Sequence, residues 1–303
     1  DKKRWVPYQK GGPFARWYGN NWIIINFKND GAELATTDNK IFYFTEGVTY
    51  SASGSKGASF RFIEPKYSFD KGGACIFNIS KRTTTPYLLA YLNSTLAGYI
   101  ADCLNPTVNI QKGDIERIPF IMPKKSLETV ITEAATQNIH IKKRLCAFNI
   151  KEMHFDKTPL TAFSEPTLSD RLLSYFSYEN AQLTQVLLNE AIINELIFKV
   201  YELSPEDRSQ VETKMGKPVG ELPVLAEARD AYISSSKIDN ETVKKFINEL
   251  ETTSFEENKI RQIKEDFAIL YQSNNDLEEF CIRHQVNPIN VWHWFKEGKV
   301  LPQ

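Results

Sequence analysis

The sequence predicts an α+β N-terminal domain, residues 1–125, followed by an all-α helical domain, residues 126–303. The first part has short β-branched and aromatic runs between turn residues, whereas the second repeats apolar residues at helical spacing. The charge changes at the same place: the first part has 17 Lys and Arg against 10 Asp and Glu, and the second has 20 against 28. A chain of 303 residues is long enough for two domains of ~100–200 residues each.

Four runs in the first part predict β-strands. Residues 22–27 are rich in isoleucine and aromatic side chains and precede the turn sequence Asn-Asp-Gly at 29–31. Residues 41–44, 60–63 and 74–79 have the same character, and each is bounded by glycine, proline or acidic turn residues. These runs are too short for helices, so they indicate a sheet-containing domain.

One long helix is predicted over residues 86–104, where leucine and tyrosine recur at helical spacing. Pro86 suits its first turn, and Asn105 ends it because a residue before proline disfavours helical backbone.

The second part is predicted to be helical almost throughout. Ser126 is the expected N-cap of its first helix, and residues 216–223 form a loop. The predicted helices cover residues 126–148, 168–178, 179–203, 222–235, 239–251, 255–272, 276–284 and 288–297, with another beginning at Ser204-Pro205.

The sequence also bears on the protein's environment. No run approaches ~18 apolar residues, and the N-terminus has no apolar signal-peptide core. Four scattered cysteines without a CxxC pair fit a reducing cytoplasm. Because no initiator Met is present, we interpret the chain as a fragment of a longer cytoplasmic protein without a membrane partner.

The motifs of common enzyme classes are missing from the sequence. It has no GxGxxG, GxxxxGK[ST], HExxH or GxSxG, so we predict no catalytic residue in this chain. Cys281, His284 and His293 offer only three metal ligands at a spacing that no standard zinc site uses, and we predict no metal. His140 and His154 are interpreted as isolated from any nucleophile.

Glu64-Pro65-Lys66 is similar to half of a nuclease metal site, in which carboxylates hold a divalent ion beside a phosphate. The intervening proline interrupts the strand that should present the two side chains. A divergent nuclease that uses Glu64 and Lys66 is therefore one of three hypotheses for the function of this chain, and the proline counts against it.

Several segments, in order, resemble one protein family. They are residues 5–20, residues 22–31, residues 44–51 (with Tyr50 where the family has Trp) and residues 61–69. The most specific stretch is residues 87–94 followed by residues 104–115, which contain Asn-Pro-Thr and Gly-Asp-Ile steps, and then by Ile-Pro at 118–119. Residues 155–160 and 189–203 extend the likeness. Together these segments resemble the PglX-like adenine-specific DNA methyltransferases of BREX phage-defence systems and related type II restriction–modification enzymes.

The resemblance implies a DNA target-recognition domain at residues 1–125 and a helical spacer or scaffold domain at residues 126–303. In the family, the methyltransferase domain with its S-adenosylmethionine loop and Asn-Pro-Pro-Tyr motif precedes these segments, and neither motif occurs in this chain. We therefore expect sequence-specific DNA recognition without catalysis, and S-adenosylmethionine as cofactor of the parent methyltransferase. The expected partners are double-stranded DNA, the upstream methyltransferase domain and other defence subunits.

The residues predicted to contact DNA are basic or polar and belong to the first part. Cations fix a protein on phosphates, a Gly-rich loop at residues 51–57 brings hydroxyls near them, and amides pair with base edges. The candidates are Lys10, Arg16, Ser53, Ser55, Lys56, Lys66, Lys81, Arg82, Asn109, Gln111 and Lys112. The competing hypothesis is a helical protein-interaction scaffold of a phage-defence complex, without autonomous DNA binding.

Overall fold

The computed structural model describes residues 4–32, 34, 39–51, 59–107, 109–235, 240–270 and 276–298. The chain divides into two compact units. The first consists of Asp1–Thr158 and Leu196–Met215, and the second of Pro159–Glu195 and Gly216–Gln303. The helix that follows residue 124, which the sequence assigned to the helical domain, is thus part of the first unit. The domain boundary at residue 125 stays a prediction, because compactness does not test independent folding.

The first unit contains two small three-stranded sheets. The strands are β1 Trp5–Gln9, β2 Ile23–Asn26, β3 Gly47–Tyr50, β4 Phe60–Ile63, β5 Ser68–Phe69 and β6 Cys75–Ile76. In the first sheet, of order β2–β1–β5, the central strand pairs antiparallel with β2 and parallel with β5. The second sheet is antiparallel and has the order β4–β3–β6.

Helices occupy most of the rest of the described chain. In order they are α1 Lys28–Gly31, α2 Thr85–Leu92, α3 Thr95–Leu104, α4 Lys112–Glu116, α5 Lys125–Cys146, α6 Pro159–Ala162, α7 Leu168–Val200, α8 Pro205–Met215, α9 Ala226–Ser235, α10 Glu241–Glu249, α11 Glu257–Leu270, α12 Leu277–His284 and α13 Pro288–Lys296. The predicted fold class, α+β followed by all-α, is confirmed. No helix among the described residues is long and apolar enough to cross a membrane.

One predicted strand, residues 41–44, is wrong. A short 3-10 helix, Lys40–Phe42, stands there instead, because Phe42 and Tyr43 donate backbone hydrogen bonds to Asn39 and Lys40 at 2.9 and 3.0 Å. The aromatic pattern is typical of a pleated strand, but only Tyr43 enters the core. It packs there with Val6, Phe27 and Phe69. The helical turn places Tyr43 in the core while Phe42 stays half-buried.

Two helix boundaries in the later part are also wrong. The predicted break at residue 178 does not exist, because α7 runs unbroken from Leu168 to Val200. Ser126 is not an N-cap, since α5 begins one residue earlier, after Lys124, with no side-chain capping bond. Ser126, which the sequence predicted as the N-cap, thus lies inside the first turn of α5.

The predicted helix over residues 86–104 is two helices, and the side chain of Asn93 separates them. Its amide accepts a hydrogen bond from the backbone N–H of Phe60 and donates one to the carbonyl of Phe60, each at 3.0 Å. Ser94 then caps α3 by accepting from the N–H of Ala97 at 3.2 Å. The side chain of Asn93 therefore behaves like a backbone unit at the edge of β4 and ties the α2–α3 junction to the sheet.

The second unit is built around α13. Eight of its nine residues, Pro288 to Phe295, are buried, which is the property of a helix enclosed by others. Asn287 caps it by accepting from the N–H of Ile289 at 2.9 Å. The amide of Asn287 also donates to the carbonyls of Gly220 and Leu222, at 3.2 and 2.6 Å.

Cys281 and His284, two of the three residues considered above as zinc ligands, lie on α12 in the second unit. Cys281 is fully buried, and burial raises the pKa of its thiol well above the usual value. His284 instead faces Asp266, with the two side chains 3.1 Å apart. Both positions are accounted for by packing and pairing in the second unit.

Truncation of Asn93 tests its role as the link between β4 and the α2–α3 junction. We expect Asn93→Ala to lower the free energy of unfolding by about 1–3 kcal/mol, because it leaves the backbone N–H of Phe60 without its partner, while the carbonyl of Phe60 keeps its hydrogen bond from the N–H of Trp17. Urea unfolding followed by circular dichroism measures this. Asn258→Ala is the control, since Asn258 is exposed on α11, and we expect a change within ~0.5 kcal/mol. Equal effects of the two substitutions would contradict the assigned role.

Candidate nucleic-acid interface

Eight of the eleven predicted DNA-contacting residues can be placed in the first unit. Ser53, Ser55 and Lys56 lie outside the described residues, so their predicted roles remain predictions. The eight placed residues fall into three groups: the segment before α4, the loop after β6, and separate positions near the ends of β1 and β4.

Asn109, Gln111 and Lys112 form one exposed segment at the start of α4. Two side chains hold it. The amide of Asn105 donates to the carbonyl of Asn109 at 2.9 Å and to the carboxylate of Asp114 at 2.7 Å. The same Asp114 oxygen accepts from the backbone N–H of Gln111 at 2.9 Å. The two amide candidates and the lysine are thus presented to solvent on a braced turn.

The carboxylate of Asp114 is stabilised in its charged form by this arrangement. The hydrogen bonds from the Asn105 amide and the Gln111 backbone lower the pKa of Asp114. An ionised Asp114 can only accept hydrogen bonds, which suits it to both donors. Lys112, whose side chain is 85% exposed, pairs with Glu116 one turn later at 3.2 Å. Such an exposed pair is weak and leaves the ammonium available to a phosphate.

Lys81 and Arg82 project from the loop after β6. Both are exposed, and among the described residues neither has an ion-pair partner. The loop is closed by Asn78, whose amide donates to the carbonyl of Thr83 at 2.7 Å. Lys81 has a positive φ of 51°, which reverses the chain at this point. Of the predicted phosphate contacts, these two cations need to break no ion pair before they bind.

Lys10 lies near the cleft that Gln111 and Lys112 border. Its ammonium is 3.6 Å from Asp70, which lines this cleft of about 810 Å³ together with Gln111 and Lys112. Asp70 also accepts from the N–H groups of Gly72 and Gly73, at 2.8 and 3.1 Å. The fold thus brings residues 10, 70 and 111–112 around one cleft, although they are far apart in sequence.

Arg16 and Lys66 already contact other side chains of the protein, which the sequence did not indicate. The guanidinium of Arg16 lies over the ring of Phe14, 5.8 Å from its centroid. The ammonium of Lys66 is 3.0 Å from Glu64 and 3.3 Å from His154. Their predicted DNA contacts stay predictions, but Lys66 would have to give up an ion pair to make one.

Glu64 is the centre of a charged cluster that joins three segments of the first unit. It follows β4, and it pairs with Lys143 of α5 and with Lys66. The hydroxyl of Tyr18 donates to its carboxylate at 3.2 Å, and His154 lies 3.4 Å from the same oxygen. His154 is therefore part of this cluster, and its neighbours there are acidic, basic and phenolic groups rather than a Ser or Cys nucleophile.

This cluster also bears on the nuclease hypothesis. Both oxygens of Glu64 already face cationic or hydroxyl donors, so the carboxylate is neutralised by protein groups rather than offered to a metal. Within the part of the chain that the structure describes, no group of three or more His, Cys, Asp or Glu side chains could hold a metal ion. Glu64 and Lys66 are accounted for by the ion-pair cluster.

The ionisation of Glu64 makes the cluster sensitive to acid. Burial alone would raise the pKa of Glu64, but hydrogen bonds and charges from Lys143 and Lys66 lower it to about 2, from 4.5. A carboxyl whose pKa falls on folding stabilises the fold above its unfolded pKa and loses that contribution as the pH falls through its folded pKa. The contribution of Glu64 is therefore complete above pH 4.5 and fades toward pH 2.

We expect Glu64→Gln to lower the free energy of unfolding by about 1–3 kcal/mol at pH 7, because it removes this charge from its lysine partners. The difference from the unsubstituted protein should shrink as the pH is lowered from 5 to 2. Urea unfolding across this pH range measures it, with Glu249→Gln, an exposed glutamate paired with Lys245, as the control. A difference that is independent of pH would contradict a pairing role for Glu64.

Sequence reasoning missed the residues that hold the candidates in place. Asn105 and Asp114 brace the segment that contains Gln111, and Asp70 joins Lys10 to the cleft. Two signals were present: the Asn-Pro-Thr step at residues 105–107, typical of a side-chain turn, and an acidic residue three positions after Gln111. Asp70 caps a local turn through Gly72 and Gly73, but no local signal indicates its contact with Lys10, which follows another strand.

Removal of the Asn105 amide tests whether it braces the α4 segment. We expect Asn105→Ala to speed amide hydrogen exchange at Gln111 at least several-fold, because Asp114 loses its second donor, while the core strands keep their protection. Hydrogen exchange followed by mass spectrometry or NMR measures both. Asn149→Ala, at another turn of the first unit, is the control and should leave Gln111 unchanged. Unaltered exchange at Gln111 in Asn105→Ala would show that the segment does not depend on this side chain.

Comparison with known proteins identifies relatives that are adenine-specific methyltransferases. The chain is 27% identical over 243 residues to the adenine-specific methyltransferase BrxX of Escherichia coli O9:H4 (strain HS), which covers 78% of this chain. It is 27% identical over 235 residues to the adenine-specific methyltransferase PglX of Lacticaseibacillus casei (strain Zhang), which covers 69% of this chain. No protein-family model matches the chain.

These relatives are much longer than the matched region. The chain spans 20% of the length of BrxX and 19% of the length of PglX. The two matches confirm the resemblance stated from the sequence: the chain is related to PglX-like adenine-specific methyltransferases. The matched fifth does not by itself assign their activity to this chain.

Proposed function

We propose that this chain is the DNA target-recognition part of an adenine-specific DNA methyltransferase that acts in BREX phage defence in the bacterial cytoplasm. The observation that carries the proposal is the match of 69–78% of the chain to two adenine-specific methyltransferases, of which it spans about a fifth. Its partner is double-stranded DNA. S-adenosylmethionine serves the whole enzyme, and we assign no residue of this chain to it.

The surface of the first unit supports this proposal. A base inside a duplex must be extruded before it is methylated, so the flanking sequence has to be read by a separate surface. Cations on phosphates fix the register, and amides at base edges carry the specificity. Lys81, Arg82 and Lys112 are exposed cations, and Gln111 and Asn109 are exposed amides next to Lys112.

Salt dependence tests DNA binding by this chain. With Lys10, Lys81, Arg82 and Lys112 on phosphates, log Kd against log salt should change with a slope of magnitude about 4, since each contact contributes ~0.9. Fluorescence anisotropy with a labelled duplex of about 30 base pairs measures this. Each of Lys81→Gln, Arg82→Gln and Lys112→Gln should lower the magnitude of the slope by ~0.9.

Lys245→Gln is the matched control, because Lys245 is a similarly exposed lysine of the second unit. We expect it to leave the slope unchanged. Binding that is undetectable even at low salt would overturn the proposal for this chain and favour the helical scaffold hypothesis. A slope that falls equally in the control would show that the contacts are not those of the first unit.

A further inference from the structure

The cleft next to Gln111 and Lys112 has the size of a small-molecule site. Its volume of about 810 Å³ lies within the ~300–1,000 Å³ typical of ligand pockets. It is bordered by the 3-10 turn before β3, the ends of β3 and β6, helix α2 and the segment around α4. The aromatic residues that line it are Phe42, Tyr43, Tyr50, Phe69, Tyr91, Phe77 and Phe120.

The aromatic lining is suited to a flat ring. Phe42 and Phe77 stack with their centroids 5.0 Å apart and their planes at 9°. Both are only half-buried, and Phe120, which also lines the cleft, is 41% exposed. Gly47 allows Phe77 to take its position, because a Cβ there would come within 2.9 Å of the Phe77 ring. The aromatic surface is therefore prepared by the fold and open to a ligand.

Polar groups complete the cleft. Tyr50 is 3% exposed and lines the cleft, and no hydrogen bond to its hydroxyl is found among the described residues. Burial, and then the nearby Cys75 and acidic groups, raise the pKa of Tyr50, so its hydroxyl stays a donor. Gln111 and Lys112 also line the cleft, which adds an amide and a cation to the aromatic surface, and the carboxylates of Asp70 and Glu116 line it as well.

We propose that this cleft binds a single unpaired nucleobase of the DNA, stacked on its aromatic side chains, with the Tyr50 hydroxyl and the Gln111 amide facing the polar edge of the base. Lys112 neutralises the phosphate of that nucleotide. The inference rests on the proposed function, because extruding one base from a duplex leaves the base opposite it unpaired. A nucleobase fits better than an aliphatic ligand, since it is planar, stacks on aromatic rings and has edges that need donors and acceptors.

The test compares two duplexes of about 30 base pairs that differ at one position. One is fully paired, and the other carries 2-aminopurine opposite an abasic site, so that this base is unpaired. We expect the second duplex to bind at least ~5-fold more tightly, because stacking one base on an aromatic side chain is worth roughly 5- to 150-fold in affinity. The fluorescence of 2-aminopurine should also change on binding as the base stacks in the cleft.

Three variants locate the base. Phe120→Ala and Tyr50→Phe should each remove most of the preference for the unpaired base while leaving binding of the paired duplex unchanged. Ile121→Ala is the matched control, because Ile121 is the next residue, is 44% exposed and does not line the cleft. It should keep the full preference. Tyr50→Phe removes a single oxygen, so a loss of preference in this variant does not depend on altered folding.

The outcomes separate this inference from the proposed function. Equal binding of both duplexes, with the expected salt slope, would overturn the inference and leave the DNA-recognition proposal standing. A preference that survives in both Phe120→Ala and Tyr50→Phe would also overturn it, because the base would then lie elsewhere. Failure to bind either duplex at low salt would overturn the proposed function, and with it the inference.

Discussion

The pairing of one asparagine side chain with one residue of β4 fixes the geometry on which the candidate interface depends. Asn93 bonds both backbone groups of Phe60, and this contact ends α2 and sets the start of α3. Helix α2 borders the cleft, and α3 ends at Asn105, which braces the segment before α4. One amide therefore links the second sheet, through two helices, to the segment that presents Gln111 and Lys112.

Ion pairing divides the basic residues of the first unit into two kinds. Lys66 and Lys143 share the largely buried carboxylate of Glu64, so withdrawing either for a phosphate would leave a charge without its partner. Lys81 and Arg82 bear no such cost, and the exposed pair of Lys112 with Glu116 costs little to break. The sequence does not distinguish these cations. Their ion-pair partners in the fold determine how much free energy each would need to leave its partner for a phosphate.

The sequence predicted what is local and missed what depends on distant partners. The fold class and the strand at residues 60–63 follow from periodicity and turn residues, and the grouping of Asn109, Gln111 and Lys112 follows from their adjacency. The break at Asn93 could not be predicted, because its cause is a hydrogen bond to Phe60, 33 residues away. The link between Glu64 and Lys143 spans 79 residues and has no local signature. Eight of the eleven candidate residues lie in the described part of the first unit, and the DNA contacts of all eleven remain predictions.

The side chains of the cleft and those of the basic loops lose different amounts of conformational freedom when a ligand binds. Exposed lysine and arginine side chains lose rotamer freedom when they settle on phosphates, which reduces the net gain of each contact. The rings of Phe42 and Phe77 are already fixed by stacking and by the close approach of Gly47, so a planar ligand meets a surface that needs little ordering. In the proposed scheme the cations set the register at a modest gain in affinity, and the preformed aromatic cleft contributes the larger energy per contact. Discrimination between an open and a closed duplex then follows from the cleft alone, because a phosphate looks the same in both.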